Sequence, residues 1–197
     1  RAPMTYLLYD ILLHFFIIIL LPYFVFKMLW ARKYREGIAQ RFGFIKGRKP
    51  GNLAGGPVVW VHAVSVGETK AALPVLKLLK EKRPGVKILF STVTQTGNRT
   101  AEKEGAGLID ALIYFPLDLS WVVKRVAGRL KPKVCVIVEK EVWPNLLRCL
   151  HGMNVPVIVI NGTISERSFK RFLTFKFFFR EVFGMISFFS ARTSEDC

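Results

Sequence analysis

Residues 58–68 read VVWVHAVSVGE, an apolar run that gives way to Ser65, Gly67 and Glu68. The run is rich in Val and apolar at consecutive positions, which is typical of a buried parallel strand. Similar runs recur along the chain, and helix-like segments separate them. The strand-like runs are 58–64, 86–92, 111–115, 133–139, 155–161 and 184–190, and the helix-like segments are 69–82, 98–104, 119–130, 144–151 and 168–179. This alternation predicts an α/β fold in which helices cover both faces of a parallel sheet.

The composition narrows the class of protein. The 197 residues carry 30 Lys and Arg against 14 Asp and Glu, a formal net charge of +16, and 51% are hydrophobic. This hydrophobicity excludes a disordered chain, and three Cys exclude a small disulfide scaffold, so Cys135 and Cys149 are expected to be reduced. The charge favours an anionic membrane or a phosphorylated substrate. Nucleic acid is not expected, because the basic residues cluster beside an apolar segment rather than among spaced aromatic residues.

An apolar segment occupies residues 6–26, YLLYDILLHFFIIILLPYFVF, and is long enough for a membrane helix although Asp10 and Pro22 interrupt it. The flank at 27–49 carries eight Lys and Arg and one Glu, which places it and the following chain in the cytoplasm by the positive-inside rule. We therefore predict a membrane-anchor helix at 1–30, a basic linker at 31–57 and an α/β domain at 58–197. The alternative is a buried helix of a soluble core. Whether the anchor spans the bilayer or lies in one leaflet stays open.

Polar residues follow the strand-like runs, and the carboxyl ends of parallel strands meet at one edge where ligands bind. Ser65, Gly67 and Glu68 follow the first run and Thr94 follows the second. Gly67 is expected to permit a tight turn. Glu68, at a helix start, is either a general base or a capping carboxylate, and capping is the commoner role. The sequence contains no GxGxxG, no GxxxxGK[ST] and no Cys/His cluster with metal-ligand spacing, so no nucleotide cradle of those types and no metal site is expected.

Glu139 and Glu141 follow the fourth run, and alternation on an extended backbone would place both carboxylates on one face. They are candidates for binding sugar hydroxyls or a cation, or else for pairing with a buried base and capping a helix. Asn145 is expected to hydrogen-bond Glu68 or a ligand, or to cap the following helix. His62, within the first run, is expected to be a hydrogen-bonded core residue.

Two further features lie near the C-terminal part of the sequence. Ser165 and Arg167 stand at a helix start, as either an anion site or a capping box. The segment 169–180 then combines Phe with Lys and Arg, which is typical of a helix at a membrane surface or of a buried crossover helix. We predict a mixed role, with membrane contact at Phe172, Lys176 and Phe179.

Three motifs in order carry a family resemblance: residues 62–68 (HAVSVGE), residues 139–145 (EKEVWPN), and Asn161 with residues 165–168 (SERS). With these motifs the chain resembles the 3-deoxy-D-manno-octulosonic acid (Kdo) transferases of Gram-negative bacteria, from about residue 41 to residue 196. The resemblance implies the N-terminal, Rossmann-like half of a GT-B glycosyltransferase. Its acceptor would be the lipid A precursor and its donor CMP-Kdo, with inversion and with no cofactor or essential metal.

By the same resemblance, Glu68 matches the catalytic base. Ser65, Gly67, Thr94, Glu139, Glu141, Asn145, Ser165 and Arg167 are then expected to contact acceptor or donor. The chain would lie on the cytoplasmic face of the bacterial inner membrane, against anionic lipids. Gly162 and Thr163 depart from the Ala and Arg usual in the family. We expect an acceptor-binding half without activity of its own, since the donor-binding half would be a second domain. The alternative is a membrane-anchored lipid-binding module without catalysis.

Overall fold

The computed structural model describes residues 4–30, 36–45, 53–139 and 141–193. In these ranges the chain forms eight helices and six strands. The helices are α1 (Met4–Trp30), α2 (Ile38–Arg41), α3 (Val66–Lys82), α4 (Gln95–Glu104), α5 (Ser120–Leu130), α6 (Pro144–Gly152), α7 (Glu166–Thr174) and α8 (Lys176–Phe183). The strands are β1 (Val58–His62), β2 (Lys87–Thr92), β3 (Ala111–Tyr114), β4 (Val134–Val138), β5 (Val157–Gly162) and β6 (Phe188–Ala191).

The six strands form one parallel sheet in the order β3-β2-β1-β4-β5-β6. The predicted parallel α/β fold is therefore confirmed. The strand order reverses between β1 and β4, which places a topological switch point beside the residues that follow these two strands. Open parallel sheets bind their ligands at such a point, at the carboxyl ends of the strands.

Alternate residues of the central strands enter two separate cores. Trp60 and Leu89 pack on one face of the sheet with residues of α5, α6 and α8. Val61, Ile88 and Phe90 pack on the other face with residues of α3 and α4. Both faces are buried, which explains why the strands are apolar at consecutive positions rather than at every second one.

Two predicted elements have different bounds in the structure. Helix α3 begins at Val66, so Gly67 lies in its first turn and outside the left-handed region, and the expected tight turn at Gly67 is wrong. The single helix expected at 168–179 is two helices, because the backbone leaves helical geometry at Phe175 (φ −110°, ψ 36°). Helix α8 then continues to Phe183, which delays the last strand to Phe188.

Helix α1 is long and apolar, and among its side chains that the structure describes those of the first turns pack on the α/β domain. Tyr6 is 1% exposed and its ring lies 5.3 Å from that of Phe178 in α8. Most of the remaining side chains that the structure describes on α1 are exposed, and the window Met4–Tyr23 is apolar enough to cross a membrane by length and composition. The alternative of a buried core helix is therefore wrong for most of α1.

The backbone just before β1 lies close to the backbone just before β2, and this contact gives a testable prediction. A Cβ at Gly56 would lie 2.0 Å from the backbone oxygen of Gly85, whereas a Cβ at Gly85 would meet no atom within 4 Å. We expect Gly56→Ala to lower the free energy of unfolding by about 1–3 kcal/mol, because the backbone must move to relieve the overlap. Gly85→Ala is the matched control and should change it by no more than about 1 kcal/mol. Thermal unfolding in detergent measures both, and equal melting temperatures would contradict the packing.

Candidate functional site

Glu68 lies in the first turn of α3, directly after the strand at which the sheet order reverses. Its side chain is buried, and one carboxylate oxygen accepts a hydrogen bond from the backbone N–H of Val64 at 2.6 Å. The other oxygen accepts one from the hydroxyl of Ser65 at 3.1 Å. Neither bond satisfies an N–H group of α3 itself, so they are not the capping box that the sequence suggested. They tie the carboxylate to the two residues before α3 and hold it in one orientation at the ligand edge of the sheet.

The loop after β2 is fastened to the loop after β1. The hydroxyl of Thr94 donates to the carbonyl oxygen of Val64 at 3.1 Å and accepts from the N–H of Gly97 at 3.0 Å. A Cβ at Gly97 would lie 3.2 Å from the carbonyl carbon of Ser65, so the two loops are in contact. By contrast a Cβ at Gly67 would meet nothing within 4 Å. Glu68 and its neighbours therefore stand beside open space on a rigid support.

Glu139 and Glu141 lie across the switch point from Glu68, after β4. Glu139 has a positive φ of 67°, so the backbone is not extended there and the expectation of alternation along a strand is wrong. Both residues nevertheless line one cavity of about 200 Å³ between the sheet edge and the α7–α8 pair. Its lining is mostly apolar, with a few polar residues, and includes Thr163, Ser168, Phe172, Phe183 and Phe189.

Asn145 has partners other than the predicted ones. Its side-chain nitrogen donates to a carboxylate oxygen of Asp10 at 2.9 Å and to the backbone oxygen of Asp118, and the residue is 3% exposed. The expected bond to Glu68 is not among its bonds. Asn145 is not the N-cap of α6 either, because Trp143 occupies that position, without a capping hydrogen bond from its side chain. Asn145 thus joins α1 to the loop after β3, and we assign it a positioning role.

Two carboxylates that the sequence did not single out cap the helices on one face. The first turns of α5 and α6 contain no acidic residue and have no cap from their own N-cap side chain. Asp118 accepts the N–H groups of Asn145 and Leu146 at 3.0 and 2.8 Å, and Asp10 accepts the N–H and hydroxyl of Ser120 at 3.0 and 2.7 Å. The sequence signals were a lone Asp inside an apolar segment, for Asp10, and a position soon after the third strand-like run, for Asp118.

The remaining predicted residues lie on the α7–α8 side. The hydroxyl of Ser165 accepts the N–H of Ser168 at 3.3 Å, which is the capping alternative. The side chain of Arg167 lies outside the described residues. Phe172 and Phe179 are half-buried and pack on each other with ring centroids 4.5 Å apart, while Lys176 is exposed. Membrane contact by these three residues stays a prediction.

Two buried residues behave as the sequence suggested. His62 is fully buried, with its Nδ1 3.0 Å from the hydroxyl of Ser91, and burial lowers its pKa to about 3. The predicted core histidine is therefore confirmed, and it is neutral.

The two described cysteines are free thiols. Burial raises the pKa of Cys135 to about 12, and Cys149 is free as well. Neither has the thiolate character of a nucleophile.

Comparisons with known proteins agree with this geometry. The sequence profile of the 3-deoxy-D-manno-octulosonic-acid transferase (kdotransferase) family matches residues 36–197. Curated transferases of that name are similar, at 37% identity in Chlamydia pneumoniae and 34% in Haemophilus influenzae, over 83% and 81% of this chain. The chain spans 37% and 36% of their lengths.

A solved structure shows the same fold without close sequence similarity. The crystal structure of a protein described as a UDP-N-acetylglucosamine 2-epimerase from Listeria monocytogenes matches with a TM-score of 0.53 at 7% identity. The match covers 72% of this chain and 40% of that one. At this identity the likeness concerns the α/β fold alone.

Asp118 gives a pH-dependent prediction. Burial raises the pKa of Asp118 to about 7, although the N–H groups of Asn145 and Leu146 and the hydroxyl of Tyr9 lower it. The folded state therefore binds the Asp118 proton more tightly than the unfolded chain does. The contribution of protonated Asp118 to stability is full below about pH 4 and is lost as the pH rises to 7. The difference in unfolding free energy between the native chain and Asp118→Asn should fall by a few kcal/mol over that range.

Asp110→Asn is the matched control, with the opposite sign. Burial alone would raise the pKa of Asp110, but Lys80, the N–H of Ile88 and Lys87 outweigh it and the pKa is lowered. Its contribution is therefore present above about pH 4 and is lost as the pH falls through the lowered pKa. Denaturant titrations at several pH values measure both differences. A flat profile for Asp118→Asn would contradict the raised pKa.

Proposed function

The chain belongs to the Kdo transferase family, glycosyltransferases of lipopolysaccharide biosynthesis, and we propose that it forms the acceptor-binding half of such an enzyme. The reaction is transfer of Kdo from CMP-Kdo to the lipid A precursor. The donor-binding part is assigned to the region of the relatives that this chain does not match. Residues 1–197 alone are accordingly expected to bind acceptor without transferring sugar.

One observation carries the catalytic assignment. Glu68 is a buried carboxylate, oriented by two donors, at the carboxyl end of the strand where the sheet order reverses. A Cβ at the preceding residue, Gly67, would meet nothing within 4 Å, so the first turn of α3 borders open space. A base must be fixed in position and reachable by the hydroxyl that it deprotonates; the two bonds meet the first need, and the open space at Gly67 supports the second.

The proposed chemistry is a single displacement with inversion. Glu68 accepts the proton of an acceptor sugar hydroxyl as the hydroxyl oxygen bonds to the anomeric carbon of Kdo. The bond from that carbon to the CMP phosphate oxygen breaks, and CMP leaves with the electron pair. The transition state has oxocarbenium character, as in glycoside hydrolysis. One protein carboxylate suffices, and no metal or cofactor takes part in this proposal.

The other predicted site residues receive supporting roles. Ser65 holds the Glu68 carboxylate, and Thr94 fastens the loop after β2 to the loop after β1 that leads to Glu68. Glu139 and Glu141, which line the 200 Å³ cavity, are proposed to accept hydrogen bonds from sugar hydroxyls. Ser165 and Arg167 remain proposed contacts for a phosphate of acceptor or donor.

The proposed location is the cytoplasmic face of the bacterial inner membrane. The net charge of +16, the basic flank of α1 and the apolar surface of α1 support attachment to anionic lipid. The same features favour a second candidate, a membrane-anchored module that binds anionic lipid without chemistry. Binding to vesicles that contain the lipid A precursor, compared with vesicles of phosphatidylglycerol alone, distinguishes the two candidates. A module that recognises only negative charge would bind both kinds of vesicle equally well.

The test of the catalytic role is Glu68→Gln in the complete enzyme. Loss of a general base should lower kcat by about 10²–10⁴-fold. Glutamine can still accept one hydrogen bond, so the weaker contacts to Val64 and Ser65 should cost only about 0.5–2 kcal/mol of stability. A transfer assay on membranes with CMP-Kdo and lipid A precursor measures the rate, and thermal unfolding measures the change in stability.

The control is Glu104→Gln, at an exposed glutamate whose only described partner is Lys70, 3.5 Å away. It should keep normal turnover and stability. Near-normal kcat in Glu68→Gln would remove Glu68 from the role of base and leave it as a structural residue that links β1 to α3. Loss of folding in Glu68→Gln but not in Glu104→Gln would show that this structural role dominates.

A further inference from the structure

Helix α1 is connected to the α/β domain near both of its ends, and we infer that it lies in one membrane leaflet rather than crossing the bilayer. The inference rests on the membrane attachment proposed above but not on transferase activity. It assigns α1 and the α7–α8 pair to one lipid-facing surface on the side of the membrane where the domain lies.

The first end of α1 is fixed by polar contacts. Asp10 accepts the backbone N–H and hydroxyl of Ser120 at 3.0 and 2.7 Å and the side-chain amide of Asn145 at 2.9 Å. Tyr9 donates its hydroxyl to Asp118 at 3.0 Å. Asp10 thereby satisfies the N-terminus of α5, which has no local cap. Removing α1 from the domain would leave that helix end unsatisfied, so the contact is more than incidental packing.

Aromatic contacts beside these bonds extend the attachment. The ring of Tyr6 lies 5.3 Å from that of Phe178, and the ring of Tyr9 lies 5.8 Å from it. The guanidinium of Arg148 in α6 stands 4.7 Å from the ring of Tyr6. The first turns of α1 thus contact α5, α6 and α8 together, and they must lie on the same side of the membrane as the domain.

The chain that follows α1 returns to the same edge of the sheet. Glu36 accepts the hydroxyl of Tyr114 at 3.1 Å and an N–H of Arg99 at 3.3 Å. The side chain of Gln40 accepts the backbone N–H of Tyr114 at 2.8 Å. Tyr114 ends β3, four residues before Asp118. Glu36 is therefore fastened to the edge at which the first turns of α1 are docked.

Chain length then excludes a crossing. Five residues separate Trp30, the last residue of α1, from Glu36, and a chain covers at most about 22 Å over that interval. The hydrocarbon core of a bilayer is about 30 Å thick. If residues 6–14 are docked on the domain and α1 crossed the bilayer, the five residues between Trp30 and Glu36 would be too short to return Glu36 to the domain. Three of the five are Arg or Lys, which would also have to pass through hydrocarbon.

The exposed apolar side chains show which surface meets the lipid. Helix α1 and the α7–α8 pair are joined through Phe178, and both carry large apolar residues that are more than half exposed. These include Leu8, Ile11, Leu12, Phe15 and Ile19 of α1, and Phe169, Leu173 and Phe177 of the α7–α8 pair. In the sequence, α1 runs into the basic segment 27–49, and an exposed apolar surface joined to such a segment fits the boundary between acyl chains and anionic headgroups.

The experiment is a topology assay with single cysteines in the complete protein. One reporter is a cysteine placed ahead of Met4, and the matched control is Ala106→Cys, at an exposed position before β3. Cys149→Ser and Cys197→Ser remove background, and the buried Cys135 stays. A membrane-impermeant maleimide is applied to spheroplasts and to inverted membrane vesicles.

Both reporters should react in inverted vesicles and neither in intact spheroplasts. Labelling of the N-terminal cysteine in spheroplasts, with Ala106→Cys protected, would overturn the inference and show a crossing helix. Recovery of the protein in the soluble fraction would overturn the membrane attachment itself. Neither result depends on whether the enzyme transfers sugar, so a failed transfer assay stays distinguishable from a failed topology.

Hydrogen exchange in lipid nanodiscs tests the docking contact separately. The amide of Ser120 donates to Asp10, and Asp10→Ala should speed its exchange by about tenfold or more, since bonds to a charged acceptor are worth more than neutral ones. Leu12→Ala, at an exposed apolar position of the same helix, is the matched control and should leave the Ser120 amide unchanged. Equal exchange in Asp10→Ala and the native chain would overturn the docked arrangement.

Discussion

Two carboxylates that lie far along the chain from the helices they cap hold this structure together. Asp118 accepts the first N–H groups of α6, Asp10 accepts the N–H and hydroxyl of Ser120 at the start of α5, and Asn145 bridges the two. A helix end that is buried without such partners is costly, because its N–H groups find no water. The capping thus couples the apolar α1 to the α/β domain, and the position of the membrane surface relative to the sheet follows from it.

The site and the lipid-facing surface share one side of the fold. Glu68 stands at the carboxyl end of β1, and Asp118, with its bonds to α1, follows the carboxyl end of β3. The cavity bordered by Glu139 and Glu141 reaches toward Phe172 of the α7–α8 pair. A substrate with a sugar headgroup and acyl chains can therefore meet polar groups and apolar surface on neighbouring parts of the same edge.

The sheet and most helices could be predicted from the sequence because strands buried on both faces leave an unmistakable run of Val and Ile. The residues around Glu68 could also be placed, since strand ends in a parallel sheet converge on one edge. Contacts across the chain could not. Nothing local in the sequence shows that Asn145 meets Asp10, that the backbone turns at Glu139 or that the helix breaks at Phe175.

The sequence separation of the α1 contacts bears on the order in which the protein is made. Asp10 is 110 residues from Ser120 and 135 residues from Asn145, so α1 is synthesised long before these partners exist. For most of translation α1 is an apolar segment with no protein surface to cover it. An early encounter with the membrane would shield it, and the later arrival of α5 and α6 would then draw the α/β domain down onto a helix already held in lipid.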